Sequence, residues 1–194
     1  MDWLTLDRAL EIAGFSIGLL YLYWEYKANR LLWYAGLVMP CISMWVYFRA
    51  GLYADFGMNI YYLVMAVYGM IAWRRKDTGT AKTEELPISH FPLRGLWALS
   101  LAVGAAYLLL AWVLIRFTNS TVPWLDSLTT ALSMAGTWML ARRYIEQWFV
   151  WIVVDVISCG LYYYKGIPLY ATLYLIYTLI ACLGYRKWHR LMVG

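Results

Sequence analysis

Charge is scarce in this chain. Asp, Glu, Lys and Arg make up only 14% of its 194 residues, while 63% are hydrophobic. A soluble domain of this size could not hide that much apolar surface, so a water-soluble globular fold is excluded. Histidine is scarcer still. His90 and His189 are the only two, they lie in polar stretches where solvation is the expectation, and neither has a partner at metal-ligand or triad spacing. The three cysteines, Cys41, Cys159 and Cys182, are scattered through apolar runs. They match no metal spacing and are expected to pack as small hydrophobes. A Gly-rich phosphate loop, a nucleophile elbow and an HExxH motif are all lacking. An enzyme acting inside a membrane would need a nucleophile–base pair or metal ligands at depth. Catalysis, a cofactor and a bound metal are therefore not expected; a membrane scaffold without transport activity stays open as an alternative. The net charge of +5 does not call for nucleic acid, because membrane proteins collect Lys and Arg in their cytoplasmic loops.

What the chain does have is long apolar runs. Seven stretches are predicted to span a bilayer as helices: Leu10–Trp24, Leu31–Phe48, Gly51–Trp73, Leu96–Ile115, Leu125–Ala141, Trp148–Tyr164 and Ile167–Tyr185. About 17–25 residues suffice for a crossing; the first run is the shortest and carries Glu11. Aromatics reach 19%, with 12 Trp and 18 Tyr. Many of these, such as Tyr61, Tyr162, Tyr163 and Tyr164, are expected in interfacial belts. With seven spans, Lys27, Arg30, Arg74, Arg75, Lys76, Lys82, Arg94, Arg142, Arg143, Arg186, Lys187 and Arg190 fall on one side. Only Arg8, Arg49, Arg116 and Lys165 fall on the other. The positive-inside rule then puts the N-terminus outside and the C-terminus in the cytoplasm. The acidic start (Asp2, Asp7) argues against a cleaved signal peptide. The polar stretch Arg74–Arg94 reads as a cytoplasmic tether.

A weak internal repeat divides the chain. Leu52-Tyr53-Ala54 precedes Gly69-Met70-Ile71-Ala72-Trp73, and Leu169-Tyr170-Ala171 precedes Gly184-Tyr185-Arg186-Lys187-Trp188. Upstream, Tyr26 and Trp33 are spaced as Tyr144 and Trp151 are. Spans 1–3 would thus match spans 5–7 in the same orientation, with span 4 as a linker, the plan of one transporter class.

Asp155 is the most informative residue. No other charge lies in the run from Trp148 to Tyr164. A carboxylate at bilayer depth costs at least ~2.5–3.5 kcal/mol and marks a functional candidate. Trp148 and Trp151 fall with it within a helical arc of roughly 60°. Indole faces beside a carboxylate suit a flat cationic ring; a hydrogen bond from Asp155 to a neighbouring helix is the plainer alternative. Trp148, at the span boundary, could equally anchor the interface, and Trp151 is the deeper of the two. Asn59 and Tyr62 lie one turn apart in span 3 and align, on the GxxxW motifs, with Tyr174 and Tyr177 in span 7. Each could contact a polar ligand or tie helices together. Ser127, Thr130, Ser133 and Thr137 share a broad face of span 5 and favour close packing. Gly14 and Gly18 in span 1 read the same way. Pro40 suggests a kink in span 2, and Pro168 an ordinary helix start.

The segments LYAD and GMIAW, and above all ARRYIEQWFVWIVVDVISCGLYYYKGIPLYATLYLIYTLIACLGYRKW, resemble the bacterial nicotinamide riboside transporters of the PnuC family. The likeness covers spans 1–3 and 5–7. It implies an all-α membrane protein of seven transmembrane helices in a 3+1+3 parallel-repeat arrangement, similar to the SWEET sugar transporters. The parts would be 1–73, a first three-helix repeat; 74–95, a cytoplasmic loop; 96–117, a linker helix; and 118–194, a second repeat with a cytoplasmic tail. It also implies a homotrimer in the bacterial inner membrane and facilitated diffusion of nicotinamide riboside, trapped inside by phosphorylation. The family's WxxW motif falls on Trp148 and Trp151, its following polar position on Asp155, and its span-3 and span-7 positions on Asn59, Tyr62, Tyr174 and Tyr177. Asn59 stands where riboside carriers often have Gln, Asp155 where some members have Asn, and Gly69-Met70-Ile71 where a GWY-type sequence is usual. Some relatives are thought to carry thiamine, another flat cation, so thiamine is the alternative substrate.

Overall fold

The computed structural model describes residues 16–49, 53–74, 86–166 and 168–193. Glu11, Gly14, Leu52 and the middle of the Arg74–Arg94 connection lie outside them. The described chain is helical: α1 (described over 16–26), then α2 (Leu31–Arg49), α3 (Tyr53–Trp73), α4 (Leu96–Phe117), α5 (Pro123–Ala141), α6 (Gln147–Tyr164) and α7 (Pro168–Val193). A short 3-10 turn, Leu93–Gly95, leads into α4. Among the described residues three helices are long and apolar enough to cross a membrane: Phe56–Trp73, Leu93–Phe117 and Pro168–Val193. The stretch Leu31–Trp45 is apolar but shorter. The most lipid-like of these is α4, with Trp97, Leu101, Leu108, Leu109 and Trp112 all exposed. By contrast α5 and α6 bury polar groups, Ser127 and Thr137 in one and Gln147, Asp155 and Ser158 in the other.

The chain forms two compact units, Met1–Leu86 and Pro87–Gly194. In the first unit α2 packs along α3, and the Tyr21 ring of α1 lies beside Gly36 of α2. Trp33 and Trp73 are the largest buried side chains there, at 1% and 0% exposure. Their rings meet edge-on, with centroids 5.5 Å apart and planes at 89°. Trp33 lies against Gly69, where any Cβ would collide with the indole. Glycine at that position is thus required by close approach and not by backbone conformation.

In the second unit α4 packs on α5, α5 on α6 and α6 on α7. The same device recurs. Trp148 covers Gly184, where a Cβ would strike its ring, and meets Trp188 edge-on at 5.7 Å and 87°. Trp33 and Trp148, Gly69 and Gly184, and Trp73 and Trp188 are each 115 positions apart.

The turns before these tryptophans repeat at the same offset. Ala28 (φ 52°) and Arg143 (φ 55°) both take the left-handed conformation. Asn29 N–H donates to Trp24 O at 2.8 Å, and Tyr144 N–H to Met139 O at 3.0 Å. Ala28 N–H donates to Glu25 O and Arg143 N–H to Leu140 O, both at 2.9 Å. These are two Schellman caps, which satisfy the last carbonyls of α1 and α5. The position normally held by glycine is taken by Ala in one and Arg in the other.

This register corrects the sequence reading in two places. Trp33 corresponds to Trp148 and not to Trp151, and the Leu-Tyr-Ala triplets are out of step with the GxxxW motifs. The structure also gives His90 a partner. Its Nδ1 lies 2.7 Å from Glu146 Oε1, and Phe91 N–H donates to Glu146 Oε2 at 2.8 Å. Ser89 N–H donates to Arg143 O at 3.1 Å, and Ile145 N–H to Ser89 O at 3.0 Å. The Phe91 ring meets Tyr144 edge-on at 5.2 Å. The end of the expected tether is therefore docked on the α5–α6 turn.

Candidate functional site

The second unit gathers five of the seven expected site residues on α6 and α7. Asp155 is buried at 6% exposure. It makes no hydrogen bond or ion pair among the described residues, and its electrostatic neighbours are Tyr174 and Tyr177 on α7. The plainer expectation, a carboxylate hydrogen-bonded to the next helix, is not met among those residues. Tyr174 and Tyr177 meet edge-on at 5.8 Å. Tyr174 also stacks on Tyr162 of α6, at 5.3 Å and 12°. Tyr162 stacks on Tyr170 as well, at 5.2 Å. Of the expected belt tyrosines, Tyr163 and Tyr164 are exposed, whereas Tyr162 belongs to this ladder.

The ladder ends in a polar cluster where α6 stops and α5 begins. Lys165 Nζ is 5.8 Å from the Tyr162 ring centroid and 3.6 Å from Asp126 Oδ1. The Ser120 hydroxyl donates to Asp126 Oδ2 at 2.6 Å.

The two indoles of the WxxW pair go to different neighbours. Trp148 is 2% exposed and fills the space left by Gly184 on α7, so its stacking surface is committed to helix packing. Trp151 is half-buried and lies against Gly136 of α5. Its Nε1 has no hydrogen-bond partner among the described residues. Of the pair, Trp151 is the one placed to offer a ring face.

Asn59 and Tyr62 lie on α3 in the first unit. Tyr62 is half-buried, meets Tyr61 at 5.7 Å, and is an electrostatic neighbour of Tyr21. Asn59 is half-buried and has interactions of its own.

The hydroxyl stripe of α5 turns inward to its own backbone. Ser127, Thr130, Ser133 and Thr137 donate to the carbonyls four residues earlier, at 2.5, 2.7, 2.8 and 2.8 Å. Hydroxyls satisfied in this way act as small packing groups. No His/Cys/Asp/Glu group among the described residues could hold a metal.

One polar residue escaped the sequence reading. Gln147 is fully buried, and neither its Nε2 nor its Oε1 has a partner among the described residues. It stands next to Trp148 at a span boundary, where sequence alone gives no local sign of burial. The usable signal was its helical phase, four residues before Trp151 and eight before Asp155.

The sequence pattern of the nicotinamide mononucleotide transporter family matches residues 8–190. The chain is similar to the nicotinamide riboside transporter PnuC of Escherichia coli (strain K12), 25% identical over 92% of this chain and 84% of that protein. It is 27% identical to the PnuC of Neisseria mucosa over 81% of this chain and 63% of the relative. A riboflavin/roseoflavin transporter, RibM of Streptomyces davaonensis, is 23% identical over 97% and 92%. Among solved structures, the crystal structure of the vitamin B3 transporter PnuC matches with a TM-score of 0.71 and 24% identity, over 96% of this chain and 83% of that one, which establishes the common fold. The chain belongs to the nicotinamide mononucleotide transporter family, an all-helical, multi-pass family of membrane transporters and not of enzymes.

Proposed function

We propose that this member of the family imports nicotinamide riboside across the bacterial inner membrane by facilitated diffusion. The observation that carries the reading is Asp155: a buried carboxylate without a hydrogen bond among the described residues, with Tyr174 and Tyr177 of α7 in its electrostatic neighbourhood and Trp151 one turn away. Taken out of water, such a group demands a compensating charge. The pyridinium of nicotinamide riboside supplies one, delocalised over a ring that an indole can stack on. Trp151 offers the face, Asp155 the counter-charge, and Tyr174 and Tyr177 hydroxyls for the ribose. Trp148 supports the site from behind, as the ring that fixes α6 on α7. Asn59 and Tyr62 stand 115 positions before Tyr174 and Tyr177, and that equivalence supports a substrate role for them.

The substrate assignment is supported by the two relatives named as nicotinamide riboside transporters. The repeated Trp–Gly–Trp device supports a 3+1+3 plan of seven spans, with α1–α3 and α5–α7 as repeats and α4 as the linker. In that plan the N-terminus is outside and the C-terminus, with Arg186, Lys187 and Arg190, is cytoplasmic. Alternating access then comes from rocking of one repeat against the other, and the family likeness supports a homotrimer.

Uptake into proteoliposomes tests the reading. Labelled nicotinamide riboside should equilibrate without a proton or sodium gradient, and thiamine and riboflavin should compete weakly. Uptake of thiamine or riboflavin in preference to the riboside would move the substrate to that vitamin. Folded protein that transports none of the three would contradict the proposal.

A further inference from the structure

Polar atoms that are buried without partners are uncommon in native proteins and call for a cause. In the second unit four such atoms sit within one turn of α6: Gln147 Nε2 and Oε1, Trp148 Nε1 and Trp151 Nε1. Trp33 Nε1, the equivalent of Trp148 Nε1, is also buried and unpartnered. That atom therefore belongs to the packing device common to both repeats. What remains is peculiar to the second repeat. The equivalents of Gln147 and Trp151 are Leu32 and Gly36, which carry no side-chain polar atom. Leu32 is as fully buried as Gln147, so an apolar side chain satisfies the fold at this position.

Gln147, Trp151 and Asp155 fall within a helical arc of roughly 80° and spread along about 12 Å of axis. Gln147 lies about 6 Å beyond the indole, on the side away from the carboxylate. An amide side chain presents a donor and an acceptor side by side. Its natural complement is a planar group with the same pair, above all a primary carboxamide, which closes two hydrogen bonds at once. We propose that Gln147 reads the ring substituent of the substrate: with the ring on Trp151 and its charge against Asp155, the carboxamide reaches Gln147 and supplies the partners its amide lacks. The inference rests on the pyridine-riboside reading above and adds a specificity residue to it. It also explains how an unpaired amide is tolerated, since its partner arrives with the cargo.

Binding to purified protein, measured calorimetrically with three probes, tests this. The probes are nicotinamide riboside, nicotinic acid riboside and the unsubstituted pyridinium riboside. Wild type should prefer the carboxamide over the unsubstituted ring by about tenfold or more, the scale of one to two hydrogen bonds. In Gln147→Leu that preference should fall to within about twofold, through weaker binding of nicotinamide riboside alone, with Tm unchanged or raised. Gln147→Met, closer in shape, serves if the leucine variant misfolds. A preference retained in the variants would overturn the proposal while leaving the transport reading intact. So would an equal loss for all three probes, the mark of a structural role. Failure of wild type to bind any pyridine riboside would end both.

Discussion

Trp33 over Gly69 and Trp148 over Gly184 are one construction built twice, down to the Schellman cap that delivers each tryptophan to its helix. The side chains along α2 and α6 are not alike. Leu32, Gly36 and Pro40 in α2 are matched by Gln147, Trp151 and Asp155 in α6. Where the first unit has a small residue on α2 beneath Tyr21 of α1, the second unit has a large one on α6 against Gly136 of α5. Tyr21 and Gly136 are themselves 115 positions apart, so large and small have exchanged helices. The frame tolerates little change because a Cβ at its glycines has nowhere to go. The lining tolerates much, because volume can move between helices while the backbone stays in place. The packing is thus shared by the two units while the polar positions differ, with Gln147 and Asp155 on α6 where α2 has Leu32 and Pro40.

The sharpest way to break this comparison is to make the second lining resemble the first. Asp155→Asn should lower nicotinamide riboside uptake by about 10–100-fold, the scale of a charge-assisted contact. Pro40→Ala, its counterpart, should change uptake by less than about threefold. Comparable losses would mean that both linings carry the function.

The frame should respond in the opposite, symmetric manner. Gly69→Ala and Gly184→Ala should each cost about 1–3 kcal/mol by overpacking against an indole, measured as thermal unfolding in detergent. Gly57 and Gly160 have open space around the missing Cβ. Alanine there should be neutral or stabilising by about 0.5–1 kcal/mol. A penalty at only one of Gly69 and Gly184 would show that the repeats are not mechanically equivalent.

The family, the GxxxW motifs and Asp155 were legible in the sequence because each depends on local spacing or on one improbable residue. The repeat register was not. In so aromatic a chain Trp33 can be matched to Trp148 or Trp151 by eye, and what decides is which indole has a glycine across from it on another helix. The His90–Glu146 pair spans 56 positions and leaves no local trace. The burial of Gln147 leaves no local trace either, because burial at a helix start is set by tertiary packing. That Trp148 is packed over Gly184 while Trp151 lies against Gly136 is likewise set by partners on other helices and not by local spacing.

Smaller effects should separate the turns. Ala28→Gly should stabilise by about 1 kcal/mol, by relieving an L-residue held left-handed. Arg143→Gly should gain less or lose, because that buried side chain has interactions of its own. Smallest of all, Glu146→Gln should shift stability by under about 1 kcal/mol, since the His90 side of its contact is largely exposed.

The account stands on a negative group kept in the membrane for a positive ring. Reduced nicotinamide riboside has nearly the same shape with a neutral ring, so the ratio of its dissociation constant to that of the oxidised form isolates the charge. The account predicts a wild-type preference for the oxidised form of about tenfold or more, collapsing toward unity in Asp155→Asn. An equal preference in both proteins would contradict it.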